Sequence, residues 1–278
     1  MRFCGKNFSF ELGKKTYVMG ILNVTPDSFF DGGKYNSPSR AVEHARQMLC
    51  DGADLIDIGA QSTRPGHTPL SADEELDIIK NYLPLVFNET GAVISVDTFF
   101  PEVAEYALNN GASIVNDVSG VFNPEMAKIV KKYDCGWIIM HTGGGDASTV
   151  LEYKNGVTSD VIDFFDNMLN KCDDFGIPHQ NIMLDMGIGF GKTYEDNLEL
   201  IKNVNLLKRE DCGLLTALSS KRVIAAATGA DGYDCVFGTI AADTIAIAGG
   251  TDMIRVHNVK ESVLSAKMAD AVMRSNNG

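Results

Sequence analysis

Short runs of β-branched and other apolar residues alternate along the chain with longer stretches in which apolar residues recur at helical spacing. The short runs, at residues 17–23, 55–59, 93–97, 114–117, 137–140, 182–185, 214–218 and 253–257, predict eight strands. Between them, residues 39–51 open on Ser39 as a cap and carry Ala41, Val42, Ala45, Met48 and Leu49 on one helical face. Residues 72–87, 101–109, 124–132, 159–175, 194–207, 236–248 and 262–274 read the same way. Pro101 and Pro124 suit a first helical turn, where a missing N–H costs nothing. Gly52 and Gly111 suit the position just past a helix end.

Strands that alternate with helices predict a parallel sheet with right-handed crossovers. Eight such units most naturally close into a (β/α)8 TIM barrel, and no linker or low-complexity stretch divides residues 1–278, so one barrel domain is expected. The competing open sheet usually carries a glycine-rich phosphate loop after its first strand. Here that strand runs into Asn23-Val24-Thr25-Pro26-Asp27 instead.

The predicted strands end in residues that are costly to bury: Asn23, Asp57, Asp97, Asn116 with Asp117, His141, Asp185, Ser219 with Lys221, and Arg255 with His257. In a barrel these ends converge on the face where barrel enzymes place their chemistry. One such residue, Asp57 or Asp117 for instance, could simply anchor backbone amides. A ring of them is unfavourable unless its members meet each other or a ligand. Carboxylates at 97 and 185 with the amide at 116 would match a flat heterocycle bearing adjacent N–H donors. Lys221 could donate to a ring oxygen or nitrogen, and the planar Arg255 could stack on an aromatic system while donating from its edge. Asn23 and His257 could face a phosphate or its metal, and one amide oxygen plus phosphate oxygens would suit Mg2+.

The net charge of −13 argues against a nucleic-acid partner and requires a local cationic site for any anionic ligand. Six scattered cysteines, with no C-x-x-C pair, fit free thiols in a reducing compartment better than zinc or disulfides. No signal peptide or membrane span is read, and residues 240–249 are apolar but broken by Asp243. A soluble, cytoplasmic protein is expected.

Several segments are similar to the signatures of the dihydropteroate synthase family. They are Met19-Gly20-Ile21-Leu22-Asn23-Val24-Thr25-Pro26-Asp27-Ser28-Phe29-Phe30-Asp31-Gly32-Gly33, Ser62-Thr63-Arg64-Pro65-Gly66, Ser95-Val96-Asp97-Thr98, Asn116-Asp117-Val118-Ser119-Gly120, Gly187-Ile188-Gly189-Phe190-Gly191-Lys192 and Arg255-Val256-His257. They stand in the family's order and span almost the whole chain. The resemblance implies a transferase of folate biosynthesis that joins 6-hydroxymethyl-dihydropterin diphosphate to p-aminobenzoate and releases pyrophosphate, with Mg2+ and as a homodimer. Carried over by position, Asp97, Asn116, Asp185, Lys221 and Arg255 would hold the pterin. Asn23, Thr63, Arg255 and His257 would take the diphosphate, with Asn23 on the metal. Asp31, Thr63, Arg64 and Lys221 would serve the reaction, and no protein nucleophile is implied. Phe29, Pro65, Phe190, Ser219 and Arg222 would line the aminobenzoate site. Two loops, residues 25–36 and 61–68, would order around the reaction. Phe190 also reads as ordinary core, Lys192 as a loop anchor, His141 as a structural residue and His44, His67 and His179 as surface residues.

The chain departs from the family pattern in places. Ala60-Gln61 stands for Gly-Glu, the glycine-rich 142–146 for a methionine and proline stretch, Met186 for proline and Asn258 for aspartate. After strand seven, Ser219-Ser220-Lys221-Arg222 replaces Ser-Arg-Lys-Ser, whose last serine and helix N-terminus would receive the aminobenzoate carboxylate. Arg222 could bind that carboxylate itself through a forked pair of hydrogen bonds, fill the pocket, or point to solvent. A pterin-binding barrel of another class, such as a methyltransferase using a reduced folate, and a non-catalytic pterin binder stay open beside the synthase.

Overall fold

The computed structural model describes residues 1–24, 37–61 and 69–274. Eight parallel strands close into a barrel: β3 (Tyr17–Asn23), β4 (Leu55–Gly59), β5 (Ile94–Asp97), β6 (Ala112–Asp117), β7 (Gly136–Met140), β8 (Ile182–Asp185), β9 (Gly213–Thr216) and β10 (Met253–Val256), with β10 pairing back onto β3. All eight lie on the predicted runs. The expected TIM barrel is the fold.

Apart from α8, the helices follow the predicted apolar faces: α1 (Pro38–Cys50), α2 (Ala72–Thr90), α3 (Pro101–Asn109), α4 (Pro124–Tyr133), α5 (Val157–Phe175), α6 (Tyr194–Lys202), α7 (Val204–Leu207), α8 (Arg222–Thr228), α9 (Cys235–Ala248) and α10 (Val259–Met273). Local chemistry sets their ends. Ser71 and Glu74 form a reciprocal capping box at α2, as Thr193 and Asp196 do at α6. Pro101 and Pro124 occupy the first turns of α3 and α4. Ser39 is not a cap: Ser37 holds that position and Pro38 starts the helix. The stretch read as one helix at 194–207 is two, because Asn203 leaves helical geometry and donates its side chain to Thr158 Oγ1 at 3.2 Å. Helix α8, seven residues long, was not predicted.

Strand parity sorts the side chains. Outward residues such as Ile56, Ile58, Val96, Val115, Leu184, Ile254 and Val256 join the core between sheet and helices. Inward residues Met19, Leu55, Ile114, Ile138, Met183, Leu215 and Met253 fill the barrel axis. Towards the C-terminal ends the same inward parity reaches Asn23, Asp57, Asp97, Asn116, Asp185 and Arg255. So the barrel is apolar at its waist and charged at its mouth.

The other end is closed by a hairpin that the sequence reading missed, β1 (Arg2–Gly5) paired antiparallel with β2 (Phe8–Glu11). Its Phe3, Phe8 and Phe10 join the axial core, and Leu12 follows them in. Phe3 packs edge-on to Phe8 with centroids 5.0 Å apart.

Candidate active site

The floor of the mouth is an ion network. Arg255 on β10 donates from Nε to Asp57 Oδ2 at 2.6 Å and from Nη2 to Asp97 Oδ2 at 2.8 Å. Asn116 on β6 donates from Nδ2 to the same Asp57 oxygen at 3.1 Å. Asp57 is wholly buried and belongs to the network of side chains rather than anchoring amides, whereas Asp117 does anchor one, the Ser119 N–H at 3.0 Å. Burial pushes the Asp97 carboxyl above its ordinary range, with the Arg255 guanidinium pulling against it.

On the opposite wall, Asp185 ends β8 and accepts from the Gly187 N–H at 2.8 Å. Burial raises this carboxyl too, opposed first by Lys221. Lys221 stands just before α8, donates to the Ile188 carbonyl and lies 5.0 Å from the centroid of the Phe190 ring. Its ammonium is lowered to about 8, chiefly by burial, with Asp185 holding the proton on. Both residues of this wall, like those of the floor, were singled out in the sequence.

The loop between β8 and α6 that carries Phe190 is built on close backbone approach. Gly191 donates to the Asp146 carbonyl at 2.9 Å, while its own carbonyl accepts from Leu151 N–H and the Tyr153 hydroxyl at 3.1 Å each. A Cβ at Gly145 would come within 2.9 Å of Gly191 Cα, so the glycine-rich stretch after β7 is a packing surface for this loop. Lys192, buried, donates within the same loop to the Gly187 and Phe190 carbonyls at 2.9 and 3.0 Å, as the loop-anchor reading anticipated.

Asn23 ends β3 half-buried, beside β10. His257 follows β10, and Ser219 lies between its main chain and ring: Ser219 Oγ accepts from the His257 N–H at 3.1 Å and meets Nδ1 at 3.1 Å. Arg222 is exposed and donates from Nη2 to the Ala147 carbonyl, so of its three sequence readings it does not fill a pocket. Ser220, where the family carries arginine, adopts φ +56° and donates its N–H to Thr239 Oγ1 at 3.2 Å. Gln61 ties both its amide groups to the main chain of Leu70, at 3.1 and 3.0 Å, which a glutamate could do only at the N–H. Met186 packs fully buried in the outer core. Phe29, Asp31, Thr63, Arg64 and Pro65 lie outside the described residues.

The mouth therefore offers buried acceptors at Asp97 and Asp185, cationic donors at Lys221 and Arg255, and an aromatic ring at Phe190. Asp57 was the residue that sequence reasoning undervalued. Its signal was available: it shares the inward parity of Leu55 on the same strand.

A model of the pterin binding enzymes matches residues 19–257. The dihydropteroate synthase of Clostridium beijerinckii is 39% identical over 267 residues, covering 95% of this chain and 97% of that protein. That of Bacillus subtilis is 39% identical, over 94% of this chain and 90% of its own. Among solved structures, the Clostridium difficile dihydropteroate synthase in the presence of pteroic acid superposes with a TM-score of 0.88 at 39% identity, covering 95% of this chain and 99% of that one. The Xanthomonas albilineans enzyme with 4-aminobenzoic acid gives 0.87 at 34% identity, covering 94% of each chain. The barrel, its charged mouth and these likenesses agree: the chain belongs to the dihydropteroate synthase family.

Proposed function

We propose that the chain condenses 6-hydroxymethyl-dihydropterin diphosphate with p-aminobenzoate, giving dihydropteroate and pyrophosphate. The observation that carries the reading is the meeting of Asp97, Asn116, Asp185 and Arg255, from four strands, with Lys221, from the turn before α8, around one barrel mouth.

In this reading Asp97 and Asp185 accept from the N–H edge of the pterin, and Asn116 adds an amide. Lys221 donates to the ring, and the Arg255 plane stacks beside it. The C–O bond to the diphosphate breaks, the amine nitrogen takes the exocyclic carbon, and that nitrogen then gives up its proton. Charge on the leaving pyrophosphate is the main quantity to stabilise, a task for Arg255, His257, Thr63 and Arg64. Positioning supplies the rest, and Asp31 joins these reaction groups. Phe190, Ser219, Arg222, Phe29 and Pro65 frame the aminobenzoate.

Among the described residues no three His, Cys, Asp or Glu side chains gather as a metal site. The Asn23 amide oxygen is a hard donor at the end of β3, the strand that pairs with β10, which fits Mg2+ shared with diphosphate oxygens. When bound there, the ion would neutralise diphosphate charge.

A homodimer is part of the proposal. Phe237 and Ile245 of α9, with Leu264, Met268 and Val272 of α10, expose 54–67% of their surfaces on adjacent helices, an apolar face suited to a second copy. Sedimentation of Met268→Glu as a monomer would support this face, and an unchanged dimer would refute it. A cytoplasmic location is likewise proposed, and among the described residues no helix is long and apolar enough to cross a membrane.

The test is to incubate the protein with pterin diphosphate, Mg2+ and p-aminobenzoate and to measure pyrophosphate and dihydropteroate. Both products are expected in equal amounts. Tight pterin binding without product would overturn the synthase reading. In Asp185→Ala, loss of pterin binding by calorimetry is expected, and unchanged affinity would overturn the pterin placement.

A further inference from the structure

Asp57 lies one inward layer below the residues that meet the pterin. Its neighbours in register are Ile21 and Ser95, whereas Asp97 and Asn116 stand in register with Gly59, two residues further along β4. The residue is wholly buried, and one of its oxygens, Oδ2, receives both Arg255 Nε and Asn116 Nδ2. Above it, Gly59 leaves the strand without a side chain; a Cβ there would sit 3.5 Å from Asp97 Oδ2, the oxygen that accepts from Arg255 Nη2.

Two consequences follow from donor and acceptor chemistry. An ionised carboxylate only accepts, so Asn116 must turn its NH2 down to Asp57 and present its carbonyl oxygen away from it. Arg255 has five N–H donors in one plane, and fixing Nε fixes that plane. We infer that Asp57 is a positioning residue, which sets the amide orientation of Asn116 and the guanidinium plane of Arg255 so that both meet the pterin, without touching substrate itself. This rests on the pterin placement proposed above.

Removing Arg255 must abolish the part of the Asp57 effect that passes through it and leave only the smaller part that passes through Asn116. The experiment is a double-variant cycle of Asp57→Asn and Arg255→Met, read by calorimetry with 6-hydroxymethyl-dihydropterin diphosphate and by steady-state kinetics on folded protein. Asp57→Asn alone is expected to raise Kd and KM for the pterin roughly tenfold or more, as loss of a charged hydrogen bond does, with a smaller fall in kcat. In the Arg255→Met background the same change is expected to add less than about threefold. Should Asp57→Asn not fold, Asp57→Glu keeps the charge but moves the acceptor by one methylene, and the same weakening is expected. An unchanged Kd in whichever variant folds, or effects that multiply fully in the double variant, would overturn the role. Wild-type protein that binds no pterin diphosphate would overturn the placement on which the role depends, a separate outcome.

Discussion

Lys192 donates its ammonium to Nδ1 of His141 at 3.0 Å, and His141 Nε2 lies 2.8 Å from Asp160 Oδ1 on α5. This fixes the ring with its proton on Nε2. The same ammonium reaches the carbonyls of His141, Gly187 and Phe190 at 3.3, 2.9 and 3.0 Å. One buried cation thus joins the end of β7 to the loop that carries Phe190. The ammonium meets only neutral acceptors, so burial lowers it to about 7, with Asp185 opposing. His141 is lowered as well, by burial and then by Lys192.

Replacing this cation with Lys192→Met should cost about 2–4 kcal/mol in urea unfolding, since several buried acceptors lose their donor. The pH dependence has a definite sign. The folded pKa of about 7 lies below the ordinary 10.5, so the unfolded chain binds more protons between those values. Wild-type stability from this group therefore rises with pH from about 7 to 10.5, and falls as the pH drops through that window. Methionine has no such term, so the gap between the two proteins should widen as the pH is raised. A gap that narrows instead would mean that Lys192 is held charged in the fold.

Gly187 sits at φ +64°, and a Cβ there would lie 1.8 Å from the His141 carbonyl oxygen. Its N–H also holds Asp185. The backbone must move to accommodate any side chain, and Asp185 must move with it. Gly187→Ala should weaken pterin binding by at least tenfold while the protein still folds at low temperature, as followed by calorimetry and circular dichroism. Retained affinity would show that the loop yields without disturbing the carboxylate.

The barrel was legible because each strand is a short apolar run that ends in a polar residue, as in Ile182–Asp185. The mouth was legible for the same reason, since Asp97, Asn116 and Asp185 interrupt runs that otherwise bury well. Helix α8 was not, because Arg222–Thr228 is too short to show a helical period. The hairpin was not, because its two strands have only four residues each, too few to establish a period. What makes it matter is tertiary: Phe3 fills the base of the barrel, against Gly136, where a Cβ would meet the Phe3 ring at 2.7 Å.

That placement separates stability from catalysis. Phe3→Ala should destabilise the protein by about 3–5 kcal/mol through the cavity it leaves. The proposed pterin site lies at the opposite end, so kcat and pterin Kd at a temperature where the variant stays folded should match wild type. A large fall in kcat there would mean that the hairpin end and the mouth are coupled through the barrel axis.

Arg222 decides how the second substrate is read. The family pattern has serine at this position, at the start of α8, and the arginine here is exposed and donates one Nη2 to the Ala147 carbonyl. A guanidinium has five N–H donors, so this tether leaves others for a carboxylate. The same tether joins the loop after β7 to the start of α8, and within that loop Gly145 packs against the Gly191 backbone. Arg222→Ala, which removes the guanidinium without installing the family's serine, should therefore raise the KM for p-aminobenzoate roughly tenfold and leave pterin Kd within about twofold. The neutral analogue p-aminobenzamide distinguishes carboxylate binding from loop tethering. If Arg222 binds the carboxylate, the variant and wild type use the amide equally well. If it acts only through Ala147, both substrates lose alike, and the carboxylate assignment is wrong.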